Sequence, residues 1–525
     1  MLLGILAVSL ACVPAPALQT VTLGTVGGSL VDIRVMVRAG SAHDPRGREG
    51  TAALTASLMI LGGFGDPQDP VTKERLADLT RPWGGGAYPG AEVGKETTVF
   101  SFKVPREALA DFESKVLAPM FRSPLFDAEE LDRSRQEVLQ ALTSSLRLEE
   151  IEDLGLAALD NFIHEGTAYA HFDGGTEKGL KAITRDDLVS FHRAHYRPDA
   201  MILGVSSPEP EVLDRLEKAL SFAPAGPPAP ARPARSPPPV QGRKVLIVAT
   251  PNAISTGIHL GFPIKVGRKD PDYWPLYVGN VWFGTHRDGF SHLYQAIREE
   301  RGYNYGDYSY IEHFEGRPHH LFPPFNTPRL HPYFSVWIRP VAHAYAPHIL
   351  KAAVWELGDF VRQGLSQADC DLAKNKAKVL YLSLGETAER LLESKVDDRF
   401  QGLEPGWLEG YLDSLDRVTC DQVNAAIRKH LGSDAFKAVL VTDDEEAPKI
   451  AEALASGKPA WGKSPAEYQL QAKDGEGGKV YQIPEARLET LRRDAVWAHH
   501  PLALSREDIR IVPAERMFET ADLPR

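Results

Sequence analysis

The sequence predicts an α+β protein built from two copies of one lobe, joined by a proline-rich linker and followed by a C-terminal extension. Three observations predict it. The first is a repeat. Ile183-Thr184-Arg185-Asp186-Asp187-Leu188 opens a helix ending near His195, and Asp199-Ala200 leads into the apolar run Met201 to Val205. Val418-Thr419-Cys420-Asp421-Gln422-Val423 opens another ending near His430, and Asp434-Ala435 leads into Ala438 to Val441. Thr184 and Thr419, Asp186 and Asp421, Arg193 and Arg428, and His195 and His430 share one offset. Thr before acidic residues is a helix N-cap signature, and the apolar run that follows is a strand. One helix-strand unit thus occurs twice in register. The second observation is the stretch Ala223 to Gly242, which carries eight prolines in twenty residues. It excludes helix and central strand and acts as a stiff, extended spacer and a candidate hinge. The third is that strand-like and helix-like runs mix on both sides of that spacer.

The domains follow in order. Residues 1–17 read as a signal peptide, apolar from Met1 to Ala11 with a small-x-small site at Ala15-Pro16-Ala17, although a positive n-region is absent. Cys12 is a candidate lipid-attachment residue, so the expected location is periplasmic or secreted. Residues 18–222 form the first lobe. Its strand Val31 to Val37 ends in Arg38-Ala39-Gly40, and Gly50 to Met59 begins a helix with Leu54, Leu58 and Leu61 on one face. The glycine-rich Trp83 to Ala91 runs into the strand-like Thr97-Thr98-Val99-Phe100. No Lys-Ser/Thr and helix follow it, so it is not a phosphate loop. Residues 223–242 are the linker and 243–444 the second lobe. There, Ser291 to Arg301 reads as a helix with Ser291 as N-cap and Gly302 as its stop, followed by a β-like run that places Tyr303 and Tyr305 on one face. Residues 445–525 are the extension, with a helix from Glu485 to about Val496 and a strand at Ile509 to Val512 that pack back on a lobe.

Composition narrows the function classes. A chain of 525 residues, 43% hydrophobic and 25% charged, builds two to four ordinary globular domains. The net charge of -12 argues against nucleic acid as a main partner, because phosphate binding needs a basic face. After the N-terminus no run reaches the ~18 apolar residues of a membrane span. Cys370 and Cys420 fall in predicted helical regions; spacing alone does not decide whether they bond, and two buried free thiols is the plainer reading. Glu312 to His320, with His313, His319 and His320, is the one stretch able to hold a stray metal, and it matches no zinc signature. His192 and His195 fall in the repeat's structural register.

Set between its strand and the later helices, the Gly50 to Met59 segment resembles the active-site helix of the M16 (insulinase, pitrilysin and mitochondrial processing peptidase) family. That family writes an apolar strand ending in Ala-Gly-Ser, here Ala39-Gly40-Ser41, then Gly-x-Ala-His-x-x-Glu-His-Met. On this chain the first zinc His falls on Ala53, the general-base Glu on Ala56 and the second His on Ser57. The third ligand, a Glu in an Arg-rich stretch, falls on Ala141 at the end of Asp132 to Ala141, with Glu137 one turn away. Methyl groups do not ligate zinc, and a hydroxyl is a poor substitute for imidazole. The second-lobe motif is kept. Ile297-Arg298-Glu299-Glu300-Arg301-Gly302-Tyr303-Asn304-Tyr305 is similar to the family's apolar-Arg-Glu-x-x-Gly-x-x-Tyr.

The resemblance implies two α/β-roll lobes, each a mixed sheet with helices on one face, forming half of a clamshell. It implies that Arg298 and Tyr305 hold substrate backbone and donate to the scissile carbonyl, work that suits a guanidinium and a phenol. It also implies that Gly90, Ala91 and Thr98 belong to a strand that an extended peptide joins. Three functions follow. The first is a zinc-free subunit that binds peptide beside a zinc-motif-bearing M16 paralogue, with no metal in this chain and zinc in the partner. The second is a non-catalytic structural or peptide-binding protein. The third is an autonomous peptidase with a relocated metal.

Overall fold

The computed structural model describes residues 18–24, 28–207, 209–223, 236–314, 326–384, 387–459, 471–473, 480–482 and 484–524. The signal-like start with Cys12, most of the proline-rich spacer, and His319 and His320 lie outside the described residues.

In the first lobe, β1 (Gln19–Thr22), β2 (Leu30–Val37), β3 (Gly90–Val93), β4 (Thr98–Pro105) and β5 (Met201–Val205) form one sheet in the order β1-β5-β2-β4-β3. β1 runs parallel to β5, and the other neighbours are antiparallel. β2 is buried on both faces, which is why its sequence reads as a nearly continuous apolar run. Its helices include α1 (Thr51–Leu61), α2 (Ala128–Gln140), α3 (Ile151–Ile163), α4 (Glu177–Ala182) and α5 (Arg185–His195). Val31, Ile33, Val35 and Val37 face the core made with the lobe's own helices, while Met36 belongs to a separate cluster on the other side.

The second lobe repeats the topology. β6 (Arg243–Ala249), β7 (Thr256–Pro263), β8 (Asp307–Tyr310), β9 (Tyr333–Val341) and β10 (Phe436–Thr442) lie in the order β8-β9-β7-β10-β6, with β6 parallel to β10. Its helices include α6 (Tyr273–Gly284), α7 (Ala346–Gln363), α8 (Gln367–Leu384), α9 (Ala388–Gln401) and α10 (Cys420–His430). The sequence repeat falls on α5-β5 and α10-β10. Thr184 and Thr419 each cap their helix in a two-way box, with Asp187 and Gln422 reaching back.

Each lobe lends a helix to the other. α3 lies across β7 and β10, with Glu152 3.1 Å from Arg339 and Gly155 flush against the His259 ring. In return α9 lies across β2 and β5, where Leu392 and Val396 join Met36 and Ile202, and Arg34 Nη2 donates to Glu393 at 3.0 Å. The extension adds a third tie. α11 (Glu485–His499) packs on α7, and β11 (Ile509–Pro513) joins β6 in parallel at the sheet's edge. Ala514, Met517 and Phe518 then enter the first lobe's core, where Phe518 O accepts from Glu177 N at 2.9 Å. The spacer therefore connects lobes that share buried surface instead of hinging separate bodies.

The cysteine pairing that the sequence leaves open is resolved against the plainer reading of two free thiols. Cys370 and Cys420 form a disulfide with a Cα–Cα distance of 5.7 Å. The fold brings the start of α8 beside the start of α10, a proximity that a separation of 50 residues does not announce.

Candidate functional site

α1 packs against β3 and leaves an open groove beside the contact. Gly50, with φ of 110°, turns the chain into the helix, and the Asp44 carboxyl holds the first turn by accepting from Gly50 N and Ala52 N, both at 2.7 Å. Burial pushes the Asp44 carboxyl up to about 8, against the lowering pull of those two backbone donors. A cavity of about 390 Å³ is lined by both the helix and the strand. Ala53, Ala56, Ser57, Ile60 and Leu61 line its helix side, with Ala91 and Val93 on its strand side. Tyr88, Pro89, Asp173 and Gly174 complete it. β3 ends the sheet, and among the described residues no strand pairs with its outer edge. Ala91 and Val93 are half-buried on the cavity side, while Gly90 and Glu92 are exposed.

Val93 and Asp173 also border a second cavity of about 700 Å³ between the lobes. A buried ionic network forms one side of it. Lys95 Nζ lies 2.7 Å from Asp173 and 3.4 Å from Asp160, and it donates to His171 O. Arg329, from the second lobe, donates to Asp160 at 2.8 Å, and Ser41 Oγ donates to Asp173 at 2.7 Å. Burial opposes ionisation of Asp160, yet Arg329 and Lys95 hold its carboxyl well below the usual range. Glu393 and Asp397 of α9 also line this cavity.

The Arg/Tyr motif lies elsewhere. Helix Tyr294–Glu299 is widened to i→i+5 bonding, and Gly302, with φ of 70°, ends the turn after it. Arg298 is ion-paired with Glu299 at 3.0 Å and sits over the rings of Tyr294 and Tyr305, 4.6 and 4.9 Å from their centroids. Tyr305 is 71% exposed, with Arg339 also over its ring. Asn304 fixes this turn by donating to Asp307 Oδ1 at 2.7 Å and to Arg339 O at 3.1 Å.

The chain matches two family descriptions: Insulinase (Peptidase family M16) over residues 21–154, and Peptidase M16 inactive domain over residues 182–377. The chain belongs to the M16 peptidase family. An uncharacterized zinc protease of Mycobacterium tuberculosis is 24% identical over 270 residues, 51% of this chain and 57% of that protein. Coenzyme PQQ synthesis protein F of Pseudomonas aeruginosa is 33% identical over 210 residues, 39% of this chain and 25% of its own length. The chain thus spans just over half the length of the mycobacterial relative. Among solved structures, the peptidase M16 inactive domain from Pseudomonas fluorescens superposes with a TM-score of 0.69 at 21% identity, over 82% of this chain and 96% of its own. A protease from Helicobacter pylori gives 0.68 at 16% identity, over 81% and 97%.

Within this M16 fold, Ala53, Ala56 and Ser57 lie together on one wall of the smaller cavity. Ala141 does not join them; it borders the inter-lobe cavity, and the exposed Glu137 borders neither. Two methyls and a hydroxymethyl do not fit a zinc ion, and the carboxylate that lines the same cavity, Asp173, is engaged by Lys95 and Ser41. Gly90 and Ala91 sit on the open strand. Thr98 is corrected: it is fully buried on β4, its hydroxyl donating to Ala39 O at 2.7 Å. Tyr303 and Tyr305 do not share a strand face, because β8 starts only at Asp307, and Tyr303 packs on Tyr345 and His348. Ser291 uses its carbonyl, not its hydroxyl, on Gln295 N at 3.0 Å. His192 is a core residue bonded to Phe121 O at 3.1 Å, and His313 is pushed down to about 3 by burial. Sequence reading missed Asp173 and the Lys95–Asp160–Arg329 network, whose members are scattered along the chain with no motif of their own.

Proposed function

We propose that this chain is the zinc-free subunit of a heteromeric M16 peptidase, binding and positioning peptide while a partner with the His-x-x-Glu-His motif supplies metal and general base. One observation carries the reading. The helix that would hold the metal faces the open strand β3 with only methyl and hydroxymethyl groups at the ligand positions, yet the helix, the strand edge and the second-lobe Arg298 and Tyr305 are all kept. In this division of labour Arg298 and Tyr305 reach the partner's reacting carbonyl as donors that need no deprotonation. The exposure of the Tyr305 ring supports a role toward something outside this chain. The Cys370–Cys420 disulfide supports export to an oxidising compartment, periplasmic or extracellular.

The test is metal content and peptide cleavage by the full chain, alone and mixed with a zinc-motif M16 paralogue. The expected result is no bound zinc and no cleavage alone, with cleavage on mixing that Arg298→Ala or Tyr305→Phe lowers about tenfold or more. Stoichiometric zinc with activity from this chain alone would sink the proposal.

A further inference from the structure

We propose that helix α11 of the C-terminal extension sets the position of Arg298 and Tyr305, with Arg301, Asp494 and Trp497 as the positioning residues. The inference rests on the reading of Arg298 and Tyr305 as substrate contacts and adds what holds them in place. The extension lies beyond the residues that either family description matches.

The segment that carries Arg298 is gripped at both ends by groups that meet on α11. At its start, His292 Nε2 lies 2.6 Å from Glu356 Oε2. Glu356, buried on α7, also accepts from Arg493 Nε at 2.8 Å and from Trp497 Nε1 at 2.9 Å, both on α11. At its end, Arg301 has a side chain only 2% exposed, donates from Nε to Asp494 and lies over the Trp497 ring, 4.2 Å from its centroid. Arg301 Nη1 reaches back to Ala296 O, so one guanidinium ties the carbonyls of helix Tyr294–Glu299 to α11. The next residue, Gly302, donates its N–H to Arg298 O at 2.7 Å. Tyr303 then packs on His348, whose ring stands 5.9 Å from that of Trp497.

Local bonding does not fix this geometry by itself. The i→i+5 turn is an uncommon form of helix. A return to ordinary bonding would shift the register by one residue, a rotation of about 100°, and carry Arg298 off the Tyr305 ring. The buried pair with Asp494 opposes that shift, because Arg301 was taken from water to make it. Without Asp494 the guanidinium keeps Glu300, 2.7 Å away and half-exposed, and follows it outward.

The experiment has two readouts on Asp494→Asn and Arg301→Lys. In the mixture with a zinc-motif M16 paralogue, each variant should lower kcat/KM for peptide cleavage about tenfold, mostly through kcat. Added to Arg298→Ala, neither should lower it further, whereas a merely structural defect would subtract equally from both backgrounds. In the full chain alone, amide hydrogen exchange across residues 294–305 should quicken about tenfold while strands β6, β7 and β10 keep their rates. Thermal unfolding identifies the folded variants, and Trp497→Phe, which keeps a ring and loses the bond to Glu356, replaces either one that fails to fold. Unchanged exchange at 294–305, an unchanged kcat, or losses that add fully to Arg298→Ala overturn the positioning role. Faster exchange at 294–305 with no cleavage by the parent mixture supports the positioning role and overturns the reading of Arg298 and Tyr305 as substrate contacts.

Discussion

The two lobes share a strand order, yet their outer strands meet opposite fates. β3 is half-exposed and borders an open cavity beside α1, whereas β8 is buried along its whole length. α6 closes on β8 through Asn280 and Gly284, and an aromatic cluster of Tyr308, Tyr310, Phe314 and Trp337 packs around it, with His286 Nδ1 2.7 Å from the Tyr310 hydroxyl. A cavity lined by small side chains stays open in one lobe, and a glycine contact with aromatic fill closes the other, although the outer strand of each sheet has one edge unpaired among the described residues. Topology is therefore silent on which copy keeps an open groove; the side chains around each outer strand decide it.

The comparison can be broken most severely where the receptive groove meets the second lobe. Asp160→Ala should cost roughly 3–5 kcal/mol in urea unfolding, because it removes the carboxylate paired with the buried Arg329 and leaves Lys95 with Asp173 alone. A loss below about 1 kcal/mol would mean the network is wet and the lobes are not tied there. Sealing is tested next by Gly284→Ala, whose Cβ has no room against the Ser309 backbone; a destabilisation of roughly 1–3 kcal/mol is expected, and a neutral result would remove the contrast between the edges.

The N-termini of α1 and α6 sharpen the contrast through pH. Asp44 is raised by burial to about 8 in the folded chain, so its contribution is fully present below its ordinary value near 3.8 and is lost as pH rises toward 8. Asp272 before α6 is lowered by its bonds to Lys429 and His430, so its contribution is present above that ordinary value and is lost in acid. Unfolding midpoints followed with pH should show Asp44→Asn gaining on the parent protein as pH rises from about 4 to 8. Asp272→Asn should instead fall behind except in acid. Parallel curves for Asp44→Asn and the parent would contradict the buried, neutral carboxyl. The smallest effect belongs to Ala53→Leu, expected to shift stability by no more than about 0.5 kcal/mol because the side chain enters empty space. A loss of several times that size would show the groove is already filled by its own walls.

Much of this was legible in the sequence where local chemistry repeats. Thr184 and Thr419 announced equivalent helices because a capping hydroxyl and its acidic or amide partner lie within one turn of each other. Ala53, Ala56 and Ser57 were placed together because helical spacing alone puts them on one face. Thr98 was misread because adjacent residues on neighbouring strands differ in burial by which face is covered. Tyr305 was misread because Asn304 bends the chain before β8 begins.

What the sequence determined by itself was the duplicated α+β lobe and the helical register that sets Ala53, Ala56 and Ser57 on one face, both written in short-range patterns. The tertiary structure alone decided the exchange of α3 and α9 between lobes, the Cys370–Cys420 bond, the Lys95–Asp160–Arg329 network and the groove beside β3. These depend on contacts between residues far apart in the chain, whose free energy is set by burial and proximity that no local pattern encodes.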